Sequence, residues 1–244
     1  MAEVIKIKKG LDIKIAGQAE KIYAKAPRAK TFAIKPGDWH GLTPKIIPTL
    51  CDPVKVGTPI FYDKYHPEIK FTSPVSGILL SINRGERRRI TEVVIEDDGK
   101  DTPETFLQGD PADLKRDQIV ENLLNSGLWT VIRQRPYKVI ARPQKPPKSI
   151  FISGFDTAPL APDYDFLLKD KEEDFQWGVN VLKQLTEGKI YIGLDGRSPN
   201  NKTLSSIKGV ETNYFNGPHP AGNVGIQIYN LDPINKGEIV WTVN

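Results

Sequence analysis

The sequence predicts a mixed α+β protein, in which a β-rich N-terminal unit precedes an open α/β sheet of doubly wound type. Three observations carry this expectation. Up to about residue 100, short runs of alternating apolar and polar residues are broken by Gly and Pro, the pattern of half-buried strands joined by turns. A basic, Pro-rich stretch then interrupts the chain at 129–147. Beyond it, apolar runs alternate with helical periodicity, as in sheets whose strands are connected through helices. The boundaries that follow are 1–103 for the β-rich unit (its compact part about 30–100), 104–147 for a helix and linker, and 148–244 for the α/β unit.

In chain order, Val4-Ile-Lys-Ile-Lys-Lys-Gly10 and Leu11-Asp-Ile-Lys-Ile15 alternate apolar and basic residues and read as two strands, closed by Gly17. Short strands follow, punctuated by Pro36-Gly37, Pro44, Pro48, Asp52-Pro53 and Gly57. The most regular passage comprises strand-like segments at 54–62, 70–82 and 89–96, joined by turns at 63–68 and 83–86. Asp110-Pro111 signals a helix start, because Pro fits the first helical turn. Ile119, Val120, Leu123 and Leu124 then supply an apolar face, and Gly127 suits the residue just past the helix end. Pro136, Pro143, Pro146 and Pro147, interspersed with Arg133, Arg135, Lys138, Arg142 and Lys145, predict an extended linker. Strands are expected at 148–154, 189–194, 210–215 and 238–243, and a short helix at 201–208. Between them, Phe175, Val179, Leu182 and Leu185 share one face of a helix over 172–187, ended by Gly188.

Composition narrows the chemistry. With 39% hydrophobic and 26% charged residues the chain can build a core and is not disordered. No apolar run approaches the roughly 20 residues of a membrane-spanning helix, and no basic segment followed by an apolar one opens the chain, so a soluble protein is expected. Cys51 is the only cysteine, which excludes an iron–sulfur cluster, a thiolate zinc site and an intrachain disulfide. Its turn-like surroundings suggest a buried or inert thiol. His40, His66 and His219 lack carboxylates at ligand spacing, so no metal is expected. Strand 148–154 runs into Ser153-Gly-Phe-Asp-Thr-Ala-Pro-Leu160, which has one glycine and a proline without an N–H. A pyrophosphate cradle needs glycines and free amides there, so nucleotide binding is disfavoured. No Gly-x-Ser-x-Gly elbow occurs, and the carboxylates of 163–165 and 172–174 suit helix starts. No self-sufficient enzyme is expected.

Two stretches remain as candidate sites. Gly217-Pro-His-Pro-Ala-Gly-Asn-Val-Gly225 is constrained by Gly217, Pro218, Pro220, Gly222 and Gly225, and holds His219 between two prolines. It reads either as a rigid loop presenting an imidazole at the C-terminal edge of a strand, where α/β folds place ligands, or as a purely structural loop. The second is the basic run of Arg84, Arg87, Arg88 and Arg89. Such a run binds phosphates or an acidic partner, although a solvated turn is its commonest explanation. It lacks interleaved aromatics, so nucleic acid is not an expected partner. Trp129, Trp177 and Tyr214 are either core residues or partner-facing aromatics.

The passage 54–82, with Ser73-Pro-Val-Ser-Gly77 leading into an apolar strand, resembles the barrel-sandwich hybrid of biotinyl and lipoyl domains. Lys64 lies near the hairpin position that carrier domains modify but lacks their flanking residues, and reads as an ordinary turn lysine. Several stretches in order resemble a single family. They are Gly10-Leu-Asp-Ile, Ile15-Ala-Gly17, Lys70-Phe-Thr-Ser-Pro-Val-Ser-Gly77, Ile82-Asn-Arg-Gly-Glu-Arg-Arg88 and Ser126-Gly-Leu-Trp129. Arg133-Gln-Arg-Pro136, Asp156-Thr-Ala-Pro-Leu160, Gly217-Pro-His-Pro-Ala-Gly222 and Leu231-Asp-Pro233 complete the set. The family they resemble is that of the A subunits of sodium-translocating NADH:quinone reductases.

The resemblance implies a barrel-sandwich hybrid followed by a Rossmann-like α/β domain. It further implies a peripheral subunit on the cytoplasmic side of the bacterial inner membrane, without a redox cofactor of its own and implicated in binding ubiquinone. FAD, FMN, riboflavin and iron–sulfur centres are then expected in partner subunits, some of them in the membrane. More distant likeness reaches the Rnf complex C subunit and the flavin subunit of complex I. These keep open an FMN- and NADH-binding electron-input module, and Lys64 keeps open a lipoyl- or biotin-type carrier. The family's sequences continue beyond a segment like 238–243 whereas this one stops at Asn244, so a shortened form is expected.

Overall fold

The computed structural model describes residues 4–17, 19–197 and 202–243. Its strands are β1 (Val4–Lys6), β2 (Thr31–Ile34), β3 (Pro44–Ile46), β4 (Pro53–Val54), β5 (Pro59–Asp63), β6 (His66–Thr72), β7 (Gly77–Arg84) and β8 (Ile90–Asp97). They continue with β9 (Ile132–Arg135), β10 (Val139–Ile140), β11 (Ser149–Ser153), β12 (Lys189–Asp195), β13 (Glu211–Asn216) and β14 (Val240–Val243). The helices are α1 (Arg116–Asn125), α2 (Tyr164–Leu167), α3 (Glu172–Lys183), α4 (Lys202–Ser205) and α5 (Val224–Leu231).

The β-rich unit is a sandwich. A four-stranded antiparallel sheet, β2-β8-β7-β4, faces a three-stranded one, β3-β5-β6. Alternation along the strands sends Leu79, Val93, Ile95, Phe61, Ile69 and Phe71 into the space between, where Phe61 and Phe71 stack at 4.8 Å. Gly77 permits the close approach of β7 to β8 at the start of their pairing, since a Cβ there would fall 1.8 Å from the Glu96 carbonyl oxygen. This is the barrel-sandwich hybrid.

The second unit is a seven-stranded sheet in the order β1-β13-β12-β11-β14-β9-β10, parallel from β1 to β14 and antiparallel at β9 and β10. Because side chains alternate, β11 sends Phe151 to one face and Ile150 and Ile152 to the other. On the first face Val224 and Ile228 of α5 pack with Phe151, Tyr191 and Val240. On the second, Val179 of α3 joins Ile150, Ile152, Ile192 and Trp241. Helix α1 bridges the units: Lys70 Nζ donates to Asn125 Oδ1 at 2.6 Å, and Thr72 Oγ1 donates to the Ser126 carbonyl at 3.1 Å. Gly127 takes the left-handed conformation (φ 79°) expected just past a helix end.

Several expectations are corrected. The first strand does not belong to the β-rich unit but forms an edge of the α/β sheet, with Val4 opposite Tyr214. Leu11–Ile15 is not a strand: Leu11, Ile13 and Ile15 are exposed, and no sheet lies against them to bury their apolar side. The stretch 129–147 is not an extended linker, because β9 pairs with β14 and β10 with β9. Its prolines fall in the turns after each strand, which leaves 132–135 free to donate and accept along the ladder. Asp110 does not start the helix; its carboxylate captures the Ala112 amide at 2.8 Å in a local turn, and α1 begins at Arg116. Cys51 is exposed rather than buried. Of the short helix expected from 201, Asn201 lies outside the described residues.

Candidate functional site

The chain order of β11, β12, β13 and β14 is laid out in space as β13-β12-β11-β14. Strand order therefore reverses between β11 and β14, and the crevice at their C-terminal ends is where such sheets receive ligands. The loop 217–223 descends from β13 beside this crevice and leads into α5, whose Ncap is Asn223.

The loop is pinned from two sides. Toward β1, Leu11 N donates to the His219 carbonyl at 2.9 Å, and His219 N donates to Asp12 Oδ1 at 2.8 Å. Backbones touch here: a Cβ on Gly10 would lie 2.1 Å from the His219 carbonyl oxygen, and one on Gly217 would lie 2.2 Å from the Ile7 carbonyl oxygen. Toward β11, the Thr157 hydroxyl accepts from Gly222 N at 3.0 Å and meets His219 Nδ1 at 3.1 Å. His219 is thereby a brace between the loop and the exit of β11.

The crevice, of about 310 Å3, is lined by Pro220, Gly222 and Gly225 from the candidate loop, with Phe155, Tyr164 and Arg135 opposite. Gly217, Pro218 and His219 are not among its lining residues. The Arg135 guanidinium reaches the first turn of α5, its Nη2 lying 2.7 Å from where a Gly225 Cβ would be. The amides of Val224 and Gly225, as first residues of the helix, have no intrahelical acceptor. Beneath, Gln227 is fully buried and donates through Nε2 to Ser153 Oγ at 3.0 Å. The crevice thus sets the Arg135 guanidinium and the first amides of α5 beside Phe155 and Tyr164, with Lys138 and Asp156 also on its lining. It contains no paired nucleophile and base. Sequence reading missed Arg135, which it placed in a linker, and Asp12, whose loop partner lies at the other end of the chain.

The other candidates lie elsewhere. Arg84, Arg87, Arg88 and Arg89 occupy the exposed β7–β8 turn of the sandwich. Trp129 is fully buried, donating through Nε1 to the Ala141 carbonyl at 2.7 Å, whereas Trp177 is 50% exposed. Trp177 borders an apolar groove of about 950 Å3 shared by α1, α3, Leu128 and Val131. Lys64 does sit in the β5–β6 turn, where its Nζ lies 5.5 Å from the Tyr65 ring centre. Among the described residues, no group of three or more His, Cys, Asp or Glu side chains is placed to hold a metal, and no helix is long and apolar enough to cross a membrane.

A sandwich hybrid joined to a Rossmann-like sheet, with its crevice at the strand reversal, defines a two-unit protein of the α+β class. Residues 5–98 match the family model described as the NqrA N-terminal barrel-sandwich hybrid domain, and 114–244 match the NqrA second alpha/beta domain. The chain belongs to the NqrA family, the A subunits of Na(+)-translocating NADH-quinone reductases. It is 39% identical over 243 residues to the A subunit from Saccharophagus degradans, covering 98% of this chain and 54% of the relative. To the A subunit from Pseudomonas aeruginosa strain PAO1 it is 38% identical over 246 residues (99% of this chain, 54% of the relative). For Neisseria meningitidis serogroup A the identity is 39% over 248 residues (99% and 54%). The chain therefore spans about half the length of these curated relatives.

Proposed function

We propose that this chain acts as a cofactor-free, peripheral subunit of a sodium-translocating NADH:quinone reductase, on the cytoplasmic side of the bacterial inner membrane. In this reading it helps frame the ubiquinone site, with loop 217–225 facing the quinone or an adjoining subunit. The flavins and iron–sulfur centres reside in partner subunits, some embedded in the membrane. The observation that carries the proposal is the exit of β11. Ten irregular residues, 154–163, separate β11 from the four-residue α2. The Gly154, Ala158 and Ala161 amides already donate within the fold, to the Gly193 carbonyl, Asp156 Oδ1 and the Ala158 carbonyl. Pro159 and Pro162 have no N–H to offer. A flavin or dinucleotide phosphate would need several free amides converging at this point, so these residues do not fit such a group.

A quinone makes a different demand, because its head is a flat ring with two carbonyl oxygens that accept hydrogen bonds. Phe155 and Tyr164 are the aromatic residues of the lining, and Arg135 with the first amides of α5 supplies donors. The test is photolabelling of the assembled complex with a reactive quinone. Label is expected on 217–225 or Arg135 and should weaken in an Arg135→Ala variant. Label confined to other subunits would sink the proposal.

A further inference from the structure

We propose that the β7–β8 turn of the sandwich is a binding site for a phosphate group carried on a larger molecule, a site that does not depend on the quinone reading above. Arg84, Arg88 and Arg89 line a cavity of about 360 Å3, closed on its other side by Gly37 and residues 42–44. No carboxylate lines it. Among the described residues the arginines held in ion pairs are Arg28, Arg116 and Arg197, and none of the turn's arginines is so held. Glu86, within the turn, and Asp38, in the facing 36–38 turn, form no ion pair with them. Glu92, on the strand leaving the turn, is engaged by Asn83 Nδ2 at 2.8 Å.

The turn is exposed, and its arginines border the cavity from a backbone held by local hydrogen bonds. Gly85 N donates to the Arg89 carbonyl at 2.8 Å and Arg89 N to the Glu86 carbonyl at 3.1 Å, closing the loop on itself. Arg84 Nη1 donates to the Arg88 carbonyl at 3.2 Å, which fixes that side chain along the turn. Arg89 crosses toward the facing segment, its Nη2 lying 3.5 Å from where a Gly37 Cβ would be. Arg87 and Arg88 both adopt left-handed backbone (φ 53° and 59°), a conformation that side chains other than Gly, Asn and Asp rarely take. Here they are the central pair of a two-residue hairpin loop, closed by the bond from Arg89 N to the Glu86 carbonyl, as in the primed turns that match the twist of paired strands. Three arginines border this one cavity without a carboxylate among its lining residues, and a dianion accepting bidentate hydrogen bonds there would neutralise like charges. The cavity is several times larger than a phosphate ion and open, so it accommodates an esterified phosphate such as a lipid headgroup as well as the free ion.

The experiment uses the full 244-residue chain with two probes. Inorganic phosphate is titrated while amide resonances are followed by NMR, and cosedimentation is measured with vesicles of phosphatidylcholine alone or mixed with phosphatidylglycerol. The variant Arg84→Gln/Arg88→Gln/Arg89→Gln is compared with Lys115→Gln/Lys169→Gln/Lys236→Gln, which removes the same charge from exposed positions elsewhere. All six residues are exposed, and retained chemical-shift dispersion checks that both variants fold. The arginine variant is expected to lose affinity by at least about tenfold while the lysine variant stays close to the parent. Shifts at 84–89 on adding phosphate assign the site to small phosphates as well; binding to phosphatidylglycerol vesicles alone assigns it to the lipid headgroup. No binding of either probe, or equal loss in both variants, overturns the proposal.

Discussion

At the scale of single residues, Gly222 and Gly178 give opposite predictions for the same added methyl group. A Cβ on Gly222 would lie 2.5 Å from Thr157 N and 2.7 Å from Asp156 Cα, both backbone atoms that cannot swing aside. Gly222→Ala is expected to destabilise the protein by about 1–3 kcal/mol through overpacking. Gly178 lies inside α3 with nothing within 4 Å of its absent Cβ, so Gly178→Ala should stabilise by about 1 kcal/mol through helix propensity alone. Urea denaturation midpoints at constant slope test both. Thr157→Val probes the brace on His219: it leaves the buried Gly222 amide without its acceptor, a loss of about 1–3 kcal/mol. The loop's rigidity was legible in its prolines and glycines. What the loop is braced against was not, because Asp12 and Thr157 are ordinary polar residues until the fold sets them beside His219.

Among the elements, the segment 19–30 has no helix or strand yet straps one unit to the other. At one end Tyr23 stacks on Phe166 at 4.6 Å and donates to its carbonyl at 2.8 Å, while Lys21 pairs with Asp163 at 2.5 Å. At the other, Arg28 holds Asp97, and also Asp101 at 2.6 and 2.7 Å. The Arg28 guanidinium keeps Asp97 and Asp101 below the usual carboxylate range, and Lys21 does the same to Asp163. A carboxylate with a depressed folded-state pKa stabilises the fold at pH values above its unfolded pKa of about 3.9 and loses that contribution as pH falls through the folded value. The contribution of these pairs to stability, read from urea midpoints, should therefore fall as pH drops below about 4. Arg28→Gln should lower the midpoint at neutral pH and reduce its acid dependence; an unchanged acid profile in that variant refutes the strap. Sequence periodicity revealed β8 and α3, of eight and twelve residues, but ran the end of β6 and most of β7 together as one strand over 70–82, where the chain breaks at 73–76. It failed for β9 and β10, of four and two residues, where neighbouring prolines and charges outweigh so short a pattern.

For the whole molecule, the decisive feature is that sequence order and structural units do not coincide. The α/β sheet takes β1 from the start of the chain, β9 and β10 from the apparent linker, and the other four strands from 148 onward. Cutting at 147, as composition suggests, removes three of seven strands and exposes β14 as an edge. It also removes Trp129, which meets Trp241 edge-to-face at 5.3 Å, both rings being fully buried. Baring one such ring gives up roughly 150–250 Å2 of burial, about 4–6 kcal/mol at 25 cal/mol per Å2. That loss alone is comparable with the 5–15 kcal/mol that typically holds a whole domain together. The fragment 148–244 is therefore expected to show poor NMR dispersion and no cooperative thermal transition. The 244-residue chain, with α1 fixed to β6 and a core continuous across both units, is expected to unfold in one transition. A cooperative melt with dispersed resonances from the isolated fragment would restore the boundary that the sequence suggests and show that β1 and β9 are accessories to the sheet rather than parts of its foundation.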